Sequence, residues 1–522
     1  MSSARHVTYR LAIVSVVVMF GCFCASGKPR VRNSVAGTTT LPFTIELGEP
    51  FTIPGMPGRQ DCSHAVAQSG DQTRYLLVGG AGKGLHGFAI PNETSDGDNF
   101  PASDSDDSLW VIDIHQRKVW SMPLARVDTP DLDIDALRAT SAQYFQDGKY
   151  LYIAGGYGHS ANATTPGKFV TFDTLTVLDV DAVVRSVVEG TEIGESIRQI
   201  RHPMMKVTGG GMQKLNKKTA LVFGQRFDGL YSPLDRGNTF RQRYTRQIRT
   251  FQVETSPALQ LTEVEFAPRY PAPSTRPLGD HLKDPHRRRD LNVLPVIAPD
   301  MTAQVAVFGG VFQPGRFDGF VHPIYIDGFV QEAFLLNGAA HEFTTFSPGV
   351  DESFEQLMNH YDCATLSLFD DKSRDMYTVF FGGISSYWYD RTTGTLVKDK
   401  LKLDPVTGRP LVDGLPFVRT VTTLHRGADG TSSQLILRQE MPGFLGTNAV
   451  LFEEPALPRF QNGVLRLNLD AIEKKTLIGH IYGGIESLAP YSAEKGTTTS
   501  DRFIPVYLSP GQLTVDRMPP KP

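Results

Sequence analysis

Along this chain, short apolar runs rich in β-branched and aromatic residues end abruptly at glycine. The clearest are Tyr75 to Gly80, Tyr150 to Gly156, Val305 to Gly310, Tyr377 to Gly383 and Ile478 to Gly484, each closing on Gly-Gly, and Ala220 to Gln225 (ALVFGQ) is a degenerate sixth. Each run is led in by a second apolar segment across a polar turn, such as Ser69-Gly70-Asp71-Gln72, Asp147-Gly148, Asn216-Lys217-Lys218 or Asp370-Asp371-Lys372. That is the pattern of a β-hairpin. A third strand is predicted at Leu109 to Ile114, Leu175 to Val180, Arg246 to Val253, Thr420 to His425 and Arg502 to Leu508, and a fourth at Lys118 to Met122. Repetition at blade-sized spacing, roughly 70 to 100 residues, points to radial repetition rather than to several unrelated domains.

The expected fold is all-β, a six-bladed β-propeller closed by an N-terminal strand, Phe43 to Ile53, which supplies the outer strand of the sheet containing Arg502 to Leu508. Closure removes exposed strand edges. Glycine suits the end of each inner hairpin because it permits backbone angles and close approach that a Cβ blocks. Gly79-Gly80 followed by Trp110-Val111-Ile112-Asp113 and Trp120, and Gly382-Gly383 followed by Tyr387-Trp388-Tyr389-Asp390, resemble the kelch family. Its blades close the second strand with Gly-Gly and carry aromatic residues further out. From about His360 onward the chain also resembles a group of uncharacterised secreted bacterial kelch-repeat proteins, a resemblance that implies no particular activity.

The N-terminus reads as an export signal over 1–26: Arg5 and Arg10 precede apolar Leu11 to Phe20, then Cys24-Ala25-Ser26. The apolar stretch is shorter than the ~20 residues a membrane-spanning helix needs, so no integral segment is expected after its removal. Gly21-Cys22 leaves a lipid anchor at Cys22 as an alternative, and the location as secreted, periplasmic or cell-surface. Residues 27–42 read as a tether, 43–508 as the propeller and 509–522 as a Pro-rich tail. With 52 basic and 56 acidic residues, and Arg287-Arg288-Arg289 as its dense basic run, the chain is not expected to bind nucleic acid. Cys62 and Cys363 alone remain for the mature body, too few for a disulfide scaffold. The sequons at Asn92 and Asn162 matter only in a glycosylating pathway.

Loops after the second strand and before the first open on the same propeller face. Candidate ligand-binding residues there are His86, His159, Arg226, Asp228, Arg316, Asp318, His360, Tyr387 and Glu486, accompanied by Gln313, His64, Arg287 to Asp290, Tyr361 and Asp362. The echo Arg226-Phe227-Asp228-Gly229 and Arg316-Phe317-Asp318-Gly319 has two readings: an Arg–Asp loop brace, or arginines facing a funnel that takes an anion. No catalytic motif is visible: Gly-x-Ser-x-Gly, His-Glu-x-x-His and P-loop patterns are all missing, and the histidines lack metal-ligand spacing, so no cofactor or metal is expected. The expected function is a binding module for a protein or glycan. The alternative is a sugar epimerase or mutarotase on a kelch propeller, as known in bacterial sialic-acid metabolism, with an Arg-rich funnel. A galactose-oxidase-like copper oxidase ranks third, since neither cysteine has an identifiable tyrosine partner.

Overall fold

All six glycine-terminated runs form the second strand of a four-stranded antiparallel unit. They do so in a computed structural model that describes residues 37–522 apart from 71, 88–98, 128, 130, 216, 232–239, 257, 267–283, 314–317, 332–334, 337–338, 341–342, 399–414, 468–473 and 492–495. The export signal, Cys22, Asn92 and Arg316 lie outside the described residues. Unit I is Ser63–Ser69, Gln72–Val78, Ser108–Asp113 and Lys118–Pro123; unit II is Gln143–Asp147, Tyr150–Ala154, Thr174–Asp179 and Ile197–Arg201. Unit III is Gly211–Leu215, Lys218–Val222, Ile248–Glu254 and Gln260–Phe266; unit IV is Arg289–Ile297, Ala303–Val311, Ile324–Gln331 and Phe343–Val350. Unit V is Ala364–Asp370, Asp375–Phe381, Thr420–Arg426 and Ser432–Glu440. Unit VI joins Ala449–Glu453, Thr476–Gly483 and Arg502–Arg517 to the N-terminal strand Thr38–Leu47. The whole is all-β and propeller-like. Among the described residues no helix is long and apolar enough to cross a membrane.

The glycine pair is what lets consecutive units meet. Its two residues have φ of 68° and 92° in unit I, 68° and 88° in II, 62° and 89° in IV, 63° and 92° in V, and 71° and 83° in VI. These left-handed angles suit glycine. In unit III the pair is Phe223-Gly224, at 55° and 81°, one position earlier than the Gly-Gln read from the sequence. The second residue's N–H then bonds to the next unit: Gly80 to Ala139 O at 3.0 Å, Gly156 to Val207 O at 2.8 Å and Gly224 to Arg288 O at 3.1 Å. Gly383 reaches Leu445 O at 3.2 Å, and Gly484 of the last unit reaches Arg59 O of the first at 2.9 Å.

The N-terminal strand begins earlier than expected and ends earlier too, at Leu47 instead of Ile53. It starts at Thr38, inside the segment read as a tether, and pairs from Thr38↔Asp516 to Leu47↔Val506, so the strand opposite it extends to Arg517 through the segment read as a tail. β-Branched Thr38-Thr39-Thr40 favours extension, and Pro510, which cannot donate, falls at the register shift between Leu41 and Phe43. Leu41, Phe43 and Ile45 are buried against Leu435, Ile504 and Val506. Phe51–Thr52 adds a second short pairing to Phe503 and Arg502.

One α-helix, Val180–Glu189, follows the third strand of unit II. Asp179 caps it by accepting from Ala182 N, Gly190 ends it at φ 69°, and Val180, Val183, Val184 and Val187 bury one stripe between units I and II.

Candidate functional site

At the start of the first strand of each unit, within two residues of its beginning, stands one residue in the left-handed region: Asp61, Ser141, Gly209, Asp290, Asp362 and Asn448, with φ of 59°, 54°, 62°, 50°, 44° and 57°. Asp, Asn and Gly are the residues that tolerate this conformation best. Main-chain bonds link neighbours: Gly209 N to Ser141 O at 2.9 Å, Asp290 N to Gly209 O at 2.8 Å, Asn448 N to Asp362 O at 2.6 Å, and Asp61 N to Asn448 O at 3.0 Å. The preceding residues, Gln60, Thr140, Thr208, Arg289, Tyr361 and Thr447, each bridge to the residue after the glycine pair of their own unit.

These twelve residues enclose a central cavity of about 100 Å³. Its other wall is aromatic: Tyr231 stands 5.0 Å from His86, 5.6 Å from Phe100 and 5.1 Å from Phe227, and Phe312 lies beneath the Arg289 guanidinium at 5.3 Å. On the opposite side of Asp61, Ser141, Gly209 and Asp362 a wider channel of about 600 Å³ opens, lined by inward faces of the first strands and including His64, Tyr144 and Asn292. Asp61 and Asp362 border both spaces.

Three carboxylates share this small volume. Asp61 accepts from Thr140 Oγ1 at 3.1 Å and from the Ser141 hydroxyl, and Asp290 pairs with Arg289 at 3.1 Å. Among the described residues nothing donates to the Asp362 carboxylate. Burial, then the Asp61 and Asp290 charges, push Asp362 well above the usual carboxylate range. Burial also raises Asp61, to about 6, against the Ser141 hydrogen bond, and raises Asp290 against Arg289. The Arg289 guanidinium is buried and donates to Tyr231 OH at 3.5 Å. Among the described residues no group of three or more His, Cys, Asp or Glu is placed to hold a metal ion.

Of the nine residues singled out for this face, His86 lines the cavity, with Nδ1 2.8 Å from Gly87 O. His159 packs edge-on against Phe169 at 5.7 Å. Strand Gln225–Gly229 alternates so that Gln225 and Phe227 line the cavity while Arg226 and Asp228 turn the other way. Asp228 pairs with Lys206 and Asp318 with Lys398, each at 2.6 Å, so among the described residues the ion-pair partner of each is a lysine from elsewhere in the chain. His360 is buried between Gly382 O at 2.6 Å and Thr422 Oγ1 at 2.9 Å and is held neutral, its pKa lowered by burial to about 4. Tyr387 packs with Leu357 and Met358, and Glu486 is tied to Arg502. Arg287 lies over Tyr244 at 3.9 Å, and Arg288 is buried, donating to Pro285, Gly309 and His322 carbonyls, so these two arginines brace loops while Arg289 alone of the basic run lines the cavity.

Asp290, Tyr361 and Asp362, read from the segments preceding first strands, do reach the cavity, whereas Asp61, Asn448 and Tyr231 escaped notice. The repeated dipeptide Asp61-Cys62 and Asp362-Cys363 was the available signal. It places a carboxylate at the left-handed position and a small apolar residue at the start of the strand. Both cysteines are buried free thiols.

No known protein family matches the chain, and no curated protein does. A solved structure titled "Structure of YjhT" aligns over 86% of this chain and 95% of its own, with 11% identity and a TM-score of 0.41.

Proposed function

We propose that the mature chain closes into a six-bladed β-propeller of the kelch type, is exported, and binds a small neutral polyhydroxylated ligand, no larger than a monosaccharide, in the central cavity. Closure is supported by the Gly484–Arg59 and Asp61–Asn448 bonds between the last unit and the first. The observation that carries the ligand class is the Asp362 carboxylate, which faces the cavity with no donor among the described residues, opposite an aromatic wall. Ligand hydroxyls supply donors to carboxylates, while the flat rings cover a sugar's C–H faces. Among the described residues three acidic side chains face the cavity against one guanidinium, which Asp290 already engages, so a neutral ligand is favoured over an acidic one.

Calorimetric titration with a panel of neutral and acidic monosaccharides tests this. Binding should favour neutral sugars and weaken at least ~10-fold in Asp362→Leu, which removes the hydrogen-bonding group from the cavity wall. Preference for acidic sugars, or unchanged affinity in that variant, would exclude the reading. One observation favours catalysis as a second reading: Asp61, raised to about 6, titrates near neutrality inside the cavity, as a proton donor to a sugar ring oxygen must. Exchange between the anomers of a bound sugar, followed by NMR, would reveal it.

A further inference from the structure

The outward face of the strand pair beside the cavity carries the opposite chemistry. In Gln225–Gly229 and its partner Phe240–Tyr244, Arg226 lies opposite Arg243 and Asp228 opposite Arg241, so these four side chains share one face of the ladder. The other face holds Gln225, Phe227 and Gln242, with Gln242 donating to Gln225 at 2.6 Å. Asp228 is neutralised by Lys206 at 2.6 Å. Among the described residues, Arg226, Arg241 and Arg243 have no carboxylate partner.

Arg249 lies near this face: the carbonyl it donates to, that of Met204, is two residues from Lys206, which pairs with Asp228 on the same face as Arg226. Arg249 belongs to the third strand of unit III and is only 4% exposed. One of its nitrogens donates to the Met204 carbonyl, while Nε and Nη2 are buried with no acceptor among the described residues. Buried guanidinium nitrogens are rarely left so, because water is lost and nothing replaces it. Burial, reinforced by Arg226, lowers the Arg249 pKa to about 10. A bound anion would relieve both the unmet N–H groups and the repulsion.

We propose that Arg249, Arg226 and Arg243 form an oxyanion site, taking a sulfate or phosphate group either as the free ion or as an ester on a larger molecule. Its tetrahedral oxygens match guanidinium donors converging from different strands. The site lies on the outer face of this ladder, and the assignment stands whether or not the central cavity takes a sugar.

Sulfate and phosphate are titrated into the full chain against chloride at equal ionic strength, with affinity read by calorimetry and the melting temperature recorded in parallel. Saturable binding of both oxyanions is expected, with a rise in melting temperature that chloride does not produce. Arg226→Gln with Arg243→Gln, both on the surface ladder, should weaken binding at least ~10-fold without lowering the melting temperature in chloride, since the repulsion on Arg249 is removed as well. Arg249→Met should lose the sulfate-dependent rise. If Arg249→Met does not fold, the double glutamine variant decides. Equal response to sulfate and chloride, or full affinity in the double variant, would overturn the site. A sulfated monosaccharide bound at least ~10-fold more tightly than sulfate would assign the site to an ester, and equal affinity would assign it to the free ion; either supports the site.

Discussion

Asp61 shows how a residue chosen for backbone reasons acquires chemical consequences. Its left-handed φ places its carboxylate beside Asp290 and Asp362 in a space largely withdrawn from water. The sign of the pH effect follows directly. Its folded pKa, about 6, exceeds the unfolded carboxylate value, so its contribution to stability is full below about 4 and is lost as pH rises through 6. Asp61→Asn should therefore melt higher than the parent at pH 7 to 8, by up to about 3 kcal/mol for a shift of roughly two pK units, and the gain should vanish at pH 4. Melting curves across that range check it; a variant less stable than the parent at pH 8 would reverse the argument. Phe223 makes the complementary point. It occupies a position where five units have glycine, accepting a left-handed backbone while its ring stacks on His286 at 4.8 Å, fully buried.

At the scale of elements, what the sequence displayed was the inner hairpins. Their second strands are buried on both faces, as in the fully buried LYIA of Tyr150–Ala154, and such apolar runs stand out. The outer strands of units II to V were not legible. Ile197–Arg201 (IRQIR) covers a sheet edge with half-exposed polar side chains, and Phe343–Val350 contains Pro348. The helix Val180–Glu189 was missed because its four buried valines are β-branched and read as strand; only the Asp179 and Gly190 caps betray it. The site suffered from parity: the Arg-Phe-Asp-Gly echo was visible, but alternation along a strand, not composition, decides that Arg226 faces outward and Phe227 inward. The glycines offer a sharp test of the junctions between units. A Cβ at Gly382 would lie 2.0 Å from Leu445 O of the next unit at φ 63°, whereas one at Gly148, φ 58°, meets nothing within 4 Å. Gly382→Ala should cost roughly 3 kcal/mol or more and Gly148→Ala about 1, the backbone cost alone. Chemical denaturation measures both, and equal losses would mean that the units are not pressed together as described.

For the whole molecule the decisive pairing is between its two ends. Removing Thr38–Leu47 would strip Leu41, Phe43 and Ile45 from the core and leave the strand Arg502–Arg517 with an open edge. Such a truncation should melt far below the parent and self-associate, as an exposed strand edge does. Scattering and melting measurements would show this, and an unaltered melting temperature would remove the N-terminal strand from its place in the fold. The same pairing orders events in time. The strand Thr38–Leu47 is made long before Arg502–Arg517, so during synthesis their pairing waits until nearly the whole fold is present. Bridging that span rather than a single unit of roughly 70 residues adds only about 2 kcal/mol of loop-closure entropy, since each doubling of length costs about 0.6. Closure is therefore late but not prohibitive. Because Arg517 N already bonds to Gly37 O at 2.8 Å, the natural ends can be joined by a short linker and the chain reopened at the exposed Asp371-Lys372 turn. That circular permutant moves the late closing contact to Ala364–Asp370 and Asp375–Phe381, so in stopped-flow experiments a probe at the Thr38–Asp516 pair should report earlier in refolding than it does in the parent.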